Sequence, residues 1–375
     1  MPMPVYMDYN ATAPMRPEAI EAMLSASNVV GNPSSVHRFG RLARRLVEDA
    51  RDKVAAMAGA TAAQVVFTGS GTEANNLAIL GSGRPRLLAS AVEHDSVLKA
   101  RGAETVPVDR QGRLDLAALE ASLRRDGRPA LVAVMLANNE TGVIQPVAEA
   151  ARIAHAHGAL LLCDAVQAAG RLPIDLRALG ADLLSLSAHK LGGPKGAGAL
   201  VVADQVPLSA LLTGGGQERG RRAGTENLAG IAGFGAAAGL ADRGIADQPR
   251  LARLRDRLEA GLARLGGDIA VLGRDAARLA NTSAIALPGL AAERLVIALD
   301  LAGIAVSAGA ACSSGKLRPS TVATAMGLDP ATAAAAIRVS LGWQTADTDI
   351  DRFLEAWTPL ALKRAHADMK AEPAA

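Results

Sequence analysis

Aromatic residues are almost absent from this sequence. They make up 2% of its 375 residues, although 50% of the residues are hydrophobic. A core must therefore be built from alanine, valine, leucine and isoleucine, which suits layered α/β packing. The apolar runs also stay shorter than the ~18 residues of a membrane span. The first residues lack the basic-then-apolar pattern of a secretion signal, so we expect a cytoplasmic protein with no membrane partner.

Cysteine and excess charge are scarce as well. The only two cysteines are Cys163 and Cys312, which are too few for a thiolate metal cage. A cytosolic chain of this length does not need a disulfide, so we predict neither a bridge nor a resident metal. The formal net charge is +3, and no basic run stands out. The sequence therefore gives no reason to expect a nucleic-acid partner.

Short apolar runs separated by helical patterns dominate the first two thirds of the chain. A helix is predicted over residues 38–59, where apolar residues recur at helical spacing. Strands are predicted at residues 65–68, 87–91, 131–136, 159–163, 183–186 and 199–203. Continuous apolar strands that alternate with helices indicate a parallel sheet covered on both faces.

The pattern changes after about residue 245. A long charged helix is predicted over residues 247–265 and another helix over residues 291–301. Strands are predicted at residues 269–272, 282–287, 304–307 and 337–340. This part is typical of a smaller α+β domain. The polar, alanine-rich tail from about residue 365 is expected to be frayed.

A glycine-rich turn follows the first of the buried strands. Residues 65–68 run into Gly69-Ser-Gly-Thr-Glu-Ala-Asn-Asn76, where a helix is predicted to begin. Backbone N–H groups at such a turn bind phosphate. The spacing of Gly69, Gly71 and Ala74 also fits a dinucleotide fingerprint, so a nicotinamide-dependent oxidoreductase is an alternative.

Two other strands end on residues suited to a carbonyl cofactor. Asp164 ends one strand, with Gln167 three residues later, and Lys190 follows another. A lysine at the end of an apolar strand is costly as a bare ammonium, whereas a Schiff base avoids that charge. Asp164 needs a cationic partner, which a protonated pyridine nitrogen would provide. The competing Lys195 sits among glycines and is expected to be an exposed loop residue.

The C-terminal part contributes a thiol and a guanidinium. Cys312 is surrounded by small residues, as in a flexible loop, and is a candidate nucleophile. Cys163 lies within an apolar strand and is expected to be an inert packing residue. Arg338 interrupts an apolar strand and can form two parallel hydrogen bonds with a carboxylate.

The order of these motifs resembles the cysteine desulfurases of the NifS and IscS type, in the class V aminotransferase family. The matching motifs are Tyr9-Asn-Ala-Thr-Ala-Pro14, Asn32-Pro-Ser-Ser-Val-His37, Glu93-His94, Asn138-Asn-Glu140, Asp164-Ala-Val-Gln167, Ser187-Ala-His-Lys190, Arg222-Ala-Gly-Thr225, Cys312 and Arg338-Val-Ser-Leu-Gly342. The resemblance implies the fold type I of enzymes that depend on pyridoxal phosphate. It implies a large domain at residues 15–255 with a mainly parallel seven-stranded sheet. Residues 1–14 and 256–375 would form a smaller α+β domain with the cysteine loop.

The resemblance also implies roles for individual residues. Lys190, Cys312 and His94 would be catalytic: Lys190 holds the cofactor and moves protons, Cys312 takes sulfur, and His94 stacks over the ring. Asp164 would pair with the pyridinium nitrogen and Gln167 with the phenolic oxygen. The phosphate would be held by Gly71, Thr72, Ser187, His189 and, from a neighbouring subunit, Thr225. Arg338 would bind the substrate carboxylate, and Asn139 the same carboxylate or the ring oxygen.

The implied reaction converts L-cysteine to L-alanine and leaves a persulfide on Cys312. The implied partners are a second copy of the chain in a homodimer and an iron–sulfur scaffold or another sulfur acceptor. Any metal contact would be transient, with Cys312 ligating an iron–sulfur cluster on that scaffold. The alternatives are a selenocysteine lyase or an aminotransferase of the same fold, and a non-enzymatic scaffold.

Overall fold

The computed structural model describes residues 4–100, 102–266, 269–309 and 320–371, with side chains described up to residue 362. The strands are β1 (Val5–Tyr6), β2 (Val65–Thr68), β3 (Arg86–Ser90), β4 (Ala103–Val106), β5 (Ala130–Met135), β6 (Leu160–Asp164), β7 (Leu183–Ser187), β8 (Gly198–Val202), β9 (Ala270–Val271), β10 (Thr282–Ala286), β11 (Ile304–Ala305), β12 (Ser307–Ala308) and β13 (Ala336–Ser340). Cys312 lies outside the described residues.

Helices pack around these strands. They are α1 (Pro17–Ser27), α2 (Arg38–Met57), α3 (Gly71–Gly81), α4 (Asp95–Leu98), α5 (Leu116–Arg125), α6 (Val147–Ala156), α7 (Leu228–Ala238), α8 (Ala241–Ala246), α9 (Gln248–Arg264), α10 (Ala292–Leu301), α11 (Thr321–Ala325), α12 (Pro330–Ala335) and α13 (Asp347–Ala371). Short 3₁₀ turns span Ala62–Gln64, Ala188–Lys190 and Gln217–Gly220. Among the residues described, no helix combines the length and apolar character needed to cross a membrane.

The main sheet has seven strands in the order β2-β8-β7-β6-β5-β3-β4. Strand β8 is antiparallel to both neighbours, and the other pairs are parallel. The predicted seven-stranded, mainly parallel sheet is therefore confirmed. Strand β4 escaped sequence analysis because it is a half-exposed edge strand that carries Glu104 rather than an apolar run.

The strand register brings the glycine-rich turn next to the lysine strand. Gly198 pairs with Thr68 of β2 on one side and with Ser187 of β7 on the other. A Cβ atom on Gly198 would lie 2.6 Å from the carbonyl carbon of Ser70. Only glycine therefore lets the turn after β2 pack against β8 at this level.

Two large hydrophobic clusters fill the molecule. The first surrounds the seven-stranded sheet and is rich in alanine, valine and leucine. The second packs α9, α10 and α13 against β10 and β13, and holds the stacked rings of Phe353 and Trp357, 5.6 Å apart. Leu251 and Leu254 of α9 belong to this second cluster. The predicted division into domains at residue 255 stays a prediction.

Two predictions for the C-terminal part need correction. The strand predicted at residues 304–307 is split, because β11 pairs with β1 whereas β12 pairs with β13. The tail from residue 365 was expected to be frayed, but α13 continues to Ala371. Its alanines and lysines are strong helix formers, which explains the longer helix.

A buried ion pair fixes a strained turn beside the sheet. The Nη1 and Nη2 atoms of Arg51 donate to Glu218 at 2.7 and 2.8 Å, and the Phe67 N–H donates to the same carboxylate at 2.8 Å. Glu218 and Arg219 have φ values of +46° and +57°. Each left-handed residue costs about 1–2 kcal/mol, which the buried contacts offset.

We expect Glu218→Ala to lower the free energy of unfolding by about 3–5 kcal/mol, because it removes the buried carboxylate that binds two nitrogens of Arg51 and leaves the half-exposed Glu48 as its ionic partner. Urea denaturation followed by circular dichroism measures the change. Glu48 is the matched control, since it contacts the same arginine with a side chain that is 46% exposed. Glu48→Ala should cost at most about 1 kcal/mol. Equal losses in the two variants would contradict this account.

Candidate functional site

A cavity of about 470 Å³ lies at the carboxyl ends of β2, β5, β6 and β7. It is lined by most of the predicted site residues: Gly71, Thr72, His94, Asn139, Asp164, Gln167, Ser187, His189, Lys190 and Arg338. Thr225 does not line it and is exposed. Lys195 is exposed, as predicted. The parallel register explains the convergence, because strand ends of this kind meet at one edge of a sheet.

The Lys190 side chain reaches backbone carbonyls of the N-terminal segment. Its Nζ donates to Asn10 O at 2.6 Å and to Ala11 O at 2.8 Å. Gln167 Nε2 donates to the same Asn10 carbonyl at 3.0 Å. The amine of Lys190 and the amide nitrogen of Gln167 therefore meet at one oxygen atom. Sequence analysis predicted both residues but not the carbonyl that joins them.

Arg171 holds Gln167 from behind and was missed by sequence analysis. Its Nη1 donates to Gln167 Oε1 at 2.6 Å and to Gln167 O at 3.0 Å. With Oε1 occupied, the amide nitrogen of Gln167 must face Asn10 and the cavity. Burial, with a smaller contribution from Arg338, lowers the pKa of Arg171 to about 9. The only signal in the sequence was a cation four residues after Gln167, which is common on any helical turn.

Asp164 lies at the floor of the cavity with both oxygens already oriented. Asn75 Nδ2 donates to Oδ2 at 2.8 Å, and the Val166 N–H donates to Oδ1 at 3.0 Å. Asn75 comes from the first turns of α3, four residues after Gly71, and was given no role by sequence analysis. Both contacts are to neutral donors, so neither of them supplies a positive charge to the carboxylate.

A second carboxyl group is buried next to Asp164. Glu93 is 4% exposed, and its Oε1 accepts the Met135 N–H at 2.6 Å. Its Oε2 has no hydrogen-bond partner among the described residues. Burial, and secondarily the charge of Asp164, raises the pKa of Glu93 well above its ordinary value. Burial therefore favours the protonated form of Glu93.

The opposite end of the cavity is built to receive an anion. Ser70 caps α3 by accepting the Glu73 N–H, which leaves the N–H groups of Gly71 and Thr72 at the helix start. A Cβ atom on Gly71 would lie 2.8 Å from Val166 Cγ2, so this approach requires glycine. Burial, followed by the charges of Lys190 and Lys195, lowers the pKa of His189 to about 4. His189 is thus a neutral hydrogen-bonding group at physiological pH.

His94 is fixed at the cavity by its place at the start of α4. Its Nδ1 accepts the Ser96 N–H at 3.1 Å and lies 2.9 Å from Ser96 Oγ. The imidazole is thus a helix cap as well as a cavity wall. Stacking of this ring over a cofactor stays a prediction.

Arg338 enters the cavity from β13 and is oriented on two sides. Its Nη2 donates to Asp8 Oδ1 at 2.8 Å, and its Nη1 donates to Asn139 O at 3.1 Å. Its Nε is buried and has no hydrogen-bond partner within the described part of the chain. Asp8 also accepts the hydroxyl of Ser307 from the paired strand β12. Asp8 is a further residue that sequence analysis did not identify.

Glu73 links the glycine-rich turn to the motif that contains Thr225. It accepts the Gly69 N–H at 2.8 Å and pairs with Arg222 Nε at 3.0 Å. The motif is thereby held close to the anion end of the cavity. The assignment of Thr225 to a neighbouring subunit stays a prediction.

The buried Cys163 and the possible metal ligands also bear on the chemistry of the protein. Cys163 is fully buried in β6, and burial raises the pKa of its thiol well above the ordinary value. It is the packing residue that the sequence predicted. Within the described residues, no group of three or more histidine, cysteine, aspartate or glutamate side chains is placed to hold a metal ion.

Known proteins resemble this chain over almost its whole length. A family model described as aminotransferase class-V matches residues 5–353. A cysteine desulfurase of Cereibacter sphaeroides is 46% identical, with 95% of each chain covered. An IscS-like cysteine desulfurase of Mycobacterium tuberculosis is 40% identical, with 96% of each chain covered.

Solved structures agree with these relatives. A NifS-like protein from Rickettsia africae superposes with a TM-score of 0.89 at 35% identity, covering 95% of this chain and 99% of its own. A structure described as SspA in complex with cysteine has a TM-score of 0.78 at 28% identity, covering 90% of this chain and 99% of its own.

The buried Glu93 gives a prediction about pH. In the unfolded chain its pKa is near 4.5, whereas in the fold it is well above that value. The folded state therefore binds the extra proton, and stability is lost as the pH rises above the unfolded pKa. Glu93→Gln removes this titration, so the variant should gain stability relative to the wild type at higher pH but not at acidic pH.

Urea denaturation of the cofactor-free protein, from acidic pH below the unfolded pKa of Glu93 up to neutral pH and above, measures the difference in stability. Glu149→Gln, at an exposed position on α6, is the control for loss of charge alone. An identical pH dependence in wild type and Glu93→Gln would show that Glu93 is not buried in its neutral form.

Proposed function

The chain belongs to the class-V aminotransferase family and is a cysteine desulfurase, and from this premise we propose that it converts L-cysteine to L-alanine with pyridoxal phosphate on Lys190 and sulfur transfer to Cys312. One observation carries the proposal: Lys190, Asp164 and Arg338 converge on one cavity from three different elements. An amine, a carboxylate and a guanidinium are the groups needed for a pyridinium aldehyde and an amino-acid substrate.

The cavity residues fit pyridoxal phosphate at each of its functional groups. Asp164 would pair with the ring nitrogen, because its carboxylate is buried and otherwise bonded only to neutral donors. The phosphate would lie at the start of α3, held by Gly71, Thr72, Ser187 and His189. Gln167 would donate to the phenolic oxygen with the N–H that Arg171 turns toward the cavity. His94 would cover one face of the ring.

When bound, the cofactor withdraws electrons from the α-carbon of the substrate. The protein residues supply the remaining steps. Arg338 binds the substrate carboxylate with help from Asn139. Its buried Nε, which has no hydrogen-bond partner among the residues that the structure describes, and its fixed orientation make that binding geometrically specific. Lys190 would carry the α-proton, and its position beside the Asn10 carbonyl would keep the amine close to the substrate.

Sulfur transfer requires a nucleophile, which we assign to Cys312. The Cys312 thiolate attacks the substrate sulfur and forms an S–S bond while the substrate Cβ–S bond breaks. The electron pair of that bond becomes a C–H bond of alanine after proton addition. L-cysteine and the thiol thus give L-alanine and a persulfide, with no outside oxidant.

The sulfur acceptor, the oligomeric state and the cellular compartment form part of the same proposal. The persulfide sulfur passes to an iron–sulfur scaffold or another acceptor protein. Two copies of the chain form a homodimer in which Thr225 reaches the phosphate of the neighbouring subunit. The enzyme works in the cytoplasm.

Replacing Lys190 and Cys312 separates the two halves of the proposal. Lys190→Ala should abolish the visible absorption of the lysine-bound cofactor and all turnover. Cys312→Ser should keep that absorption but lower alanine and sulfide formation from L-cysteine by about 10³-fold or more, because the nucleophile is lost. Cys163→Ser is the matched control and should retain activity. Full sulfide release by Cys312→Ser would exclude the persulfide route.

The role of Arg338 has its own test. Arg338→Lys keeps the charge but loses the paired donors. We expect KM for L-cysteine to rise about 10-fold to 100-fold, because a hydrogen bond to a charged group contributes about 1.5–3 kcal/mol. Steady-state alanine formation measures it. Arg257→Lys, in an ion pair whose side chains are 40% and 75% exposed, is the control. An unchanged KM would place the substrate carboxylate elsewhere.

A further inference from the structure

The two ends of the segment that carries Cys312 are in direct contact. Gly309 is the last described residue before this segment, and Ser320 is the first after it. A Cβ atom on Gly309 would lie 2.8 Å from Ser320 Cβ. Although ten residues separate them in the sequence, these two residues pack against each other. The residues that flank 310–319 therefore lie side by side in the fold.

A buried carboxylate lies at this junction. The same Cβ atom on Gly309 would be 2.6 Å from Glu140 Oε2, and Ser320 Oγ donates to that oxygen at 2.5 Å. Glu140 is only 7% exposed. Gly309, Glu140 and Ser320 form what we call the loop-base cluster. Glycine is required at 309, because any side chain would collide with the carboxylate.

Glu140 is itself held rigidly. Its backbone N–H donates to Asn138 Oδ1 at 2.9 Å, and the same oxygen accepts the Thr141 N–H. Burial raises the pKa of Glu140 to about 7, although the Ser320 hydrogen bond and the charge of Arg338 act in the opposite direction. A carboxyl group so placed is neither a solvated surface group nor part of a salt bridge among the described residues.

The loop-base cluster adjoins the proposed substrate site. The residue before Glu140 is Asn139, whose carbonyl accepts Arg338 Nη1 at 3.1 Å. Ser307, two residues before Gly309, pairs with Arg338 across the β12–β13 ladder. Cys312 follows Gly309 by three residues in the sequence. The cluster therefore fixes Gly309, on the N-terminal side of Cys312, relative to the guanidinium.

We propose that Glu140 is a positioning residue for sulfur transfer: by bonding to Ser320 and packing against Gly309, on either side of the segment that carries Cys312, it sets the approach of the Cys312 thiol to the substrate bound at Arg338. This inference rests on the proposed function of Cys312. Glu140 is not among the described residues that line the cavity. It acts on the step that needs the thiol and not on the binding of cofactor or substrate.

The test uses the pyridoxal phosphate-loaded enzyme and two measurements. The first is kcat for alanine formation from L-cysteine, which needs the thiol. The second is the binding of L-alanine, followed by the change in visible absorption of the cofactor. L-alanine carries the amine and carboxylate of the substrate but no sulfur. Its binding therefore reports on Lys190, Arg338 and the cofactor alone.

Two variants disturb the loop-base cluster in different ways. Glu140→Ala removes the carboxylate, and Gly309→Ala keeps it but forces a methyl group against it. Each should lower kcat about 10-fold to 100-fold, because displacement of a reacting group by about 1 Å has such an effect. The Kd for L-alanine should stay within about twofold of the wild type. Glu140→Gln, whose amide oxygen can accept the Ser320 hydroxyl, should recover most of the lost kcat.

Gly127→Ala is the matched glycine control, since a Cβ atom there meets nothing within 4 Å. Wild-type kcat in both Glu140→Ala and Gly309→Ala would overturn the inference. A parallel loss of L-alanine binding and kcat would also overturn it, since Glu140 would then support the whole site. If Glu140→Ala fails to load cofactor, Gly309→Ala decides by the same measurements. Failure of the proposed function is seen separately, as turnover that survives in Cys312→Ser.

Discussion

Parallel strand register is the constraint on which the site depends. Strands β5, β6 and β7 run in the same direction, and β2 and β7 are both antiparallel to β8 between them. Their carboxyl ends consequently finish at one edge of a buried sheet. The glycine-rich turn, Asp164 and Lys190 are far apart in the sequence, yet the register alone brings them to one cavity. The rest of the site is attached to this edge.

Many polar and ionisable groups are buried around the cavity, so their charges must be balanced. Burial, and secondarily the charge of Asp164, raises the pKa of the neighbouring Glu93. His189 is neutral at physiological pH because burial lowers its pKa to about 4, and the basic side chains of Lys190 and Arg338 line the cavity. Arg338 has a carboxylate partner in Asp8, whereas Arg171 is bonded to the amide of Gln167. The site is therefore prepared for an anionic ligand before any ligand binds.

Sequence analysis identified the groups that perform chemistry better than those that hold them. Lys190, Asp164 and Arg338 stood out because each places a charge at an apolar strand, where burial demands a reason. Asp8, Glu140 and Arg171 gave no such signal. Asp8 and Glu140 meet their partners 330 and 180 residues away, and only the folded chain shows those contacts.

The limits on predicting the fold have a similar origin. Apolar runs predicted six strands of the main sheet, since buried parallel strands lack alternation. The edge strand β4 is partly exposed and polar, so it carries no such pattern. The break between β11 and β12 depends on two different partner strands, β1 and β13. The local sequence does not show which strand β11 or β12 pairs with.

The N-terminal segment has a consequence for the order in which the protein matures. Strand β1 pairs with β11, so Val5 must wait for Ile304 to be synthesised before it can find its place. The same segment supplies the Asn10 and Ala11 carbonyls that hold Lys190. A ribosome-bound chain can fold the central sheet early, because domains form as they emerge. Because β11 is synthesised after both the central sheet and Lys190, the strand pairing that anchors these carbonyls forms only after the sheet has been made.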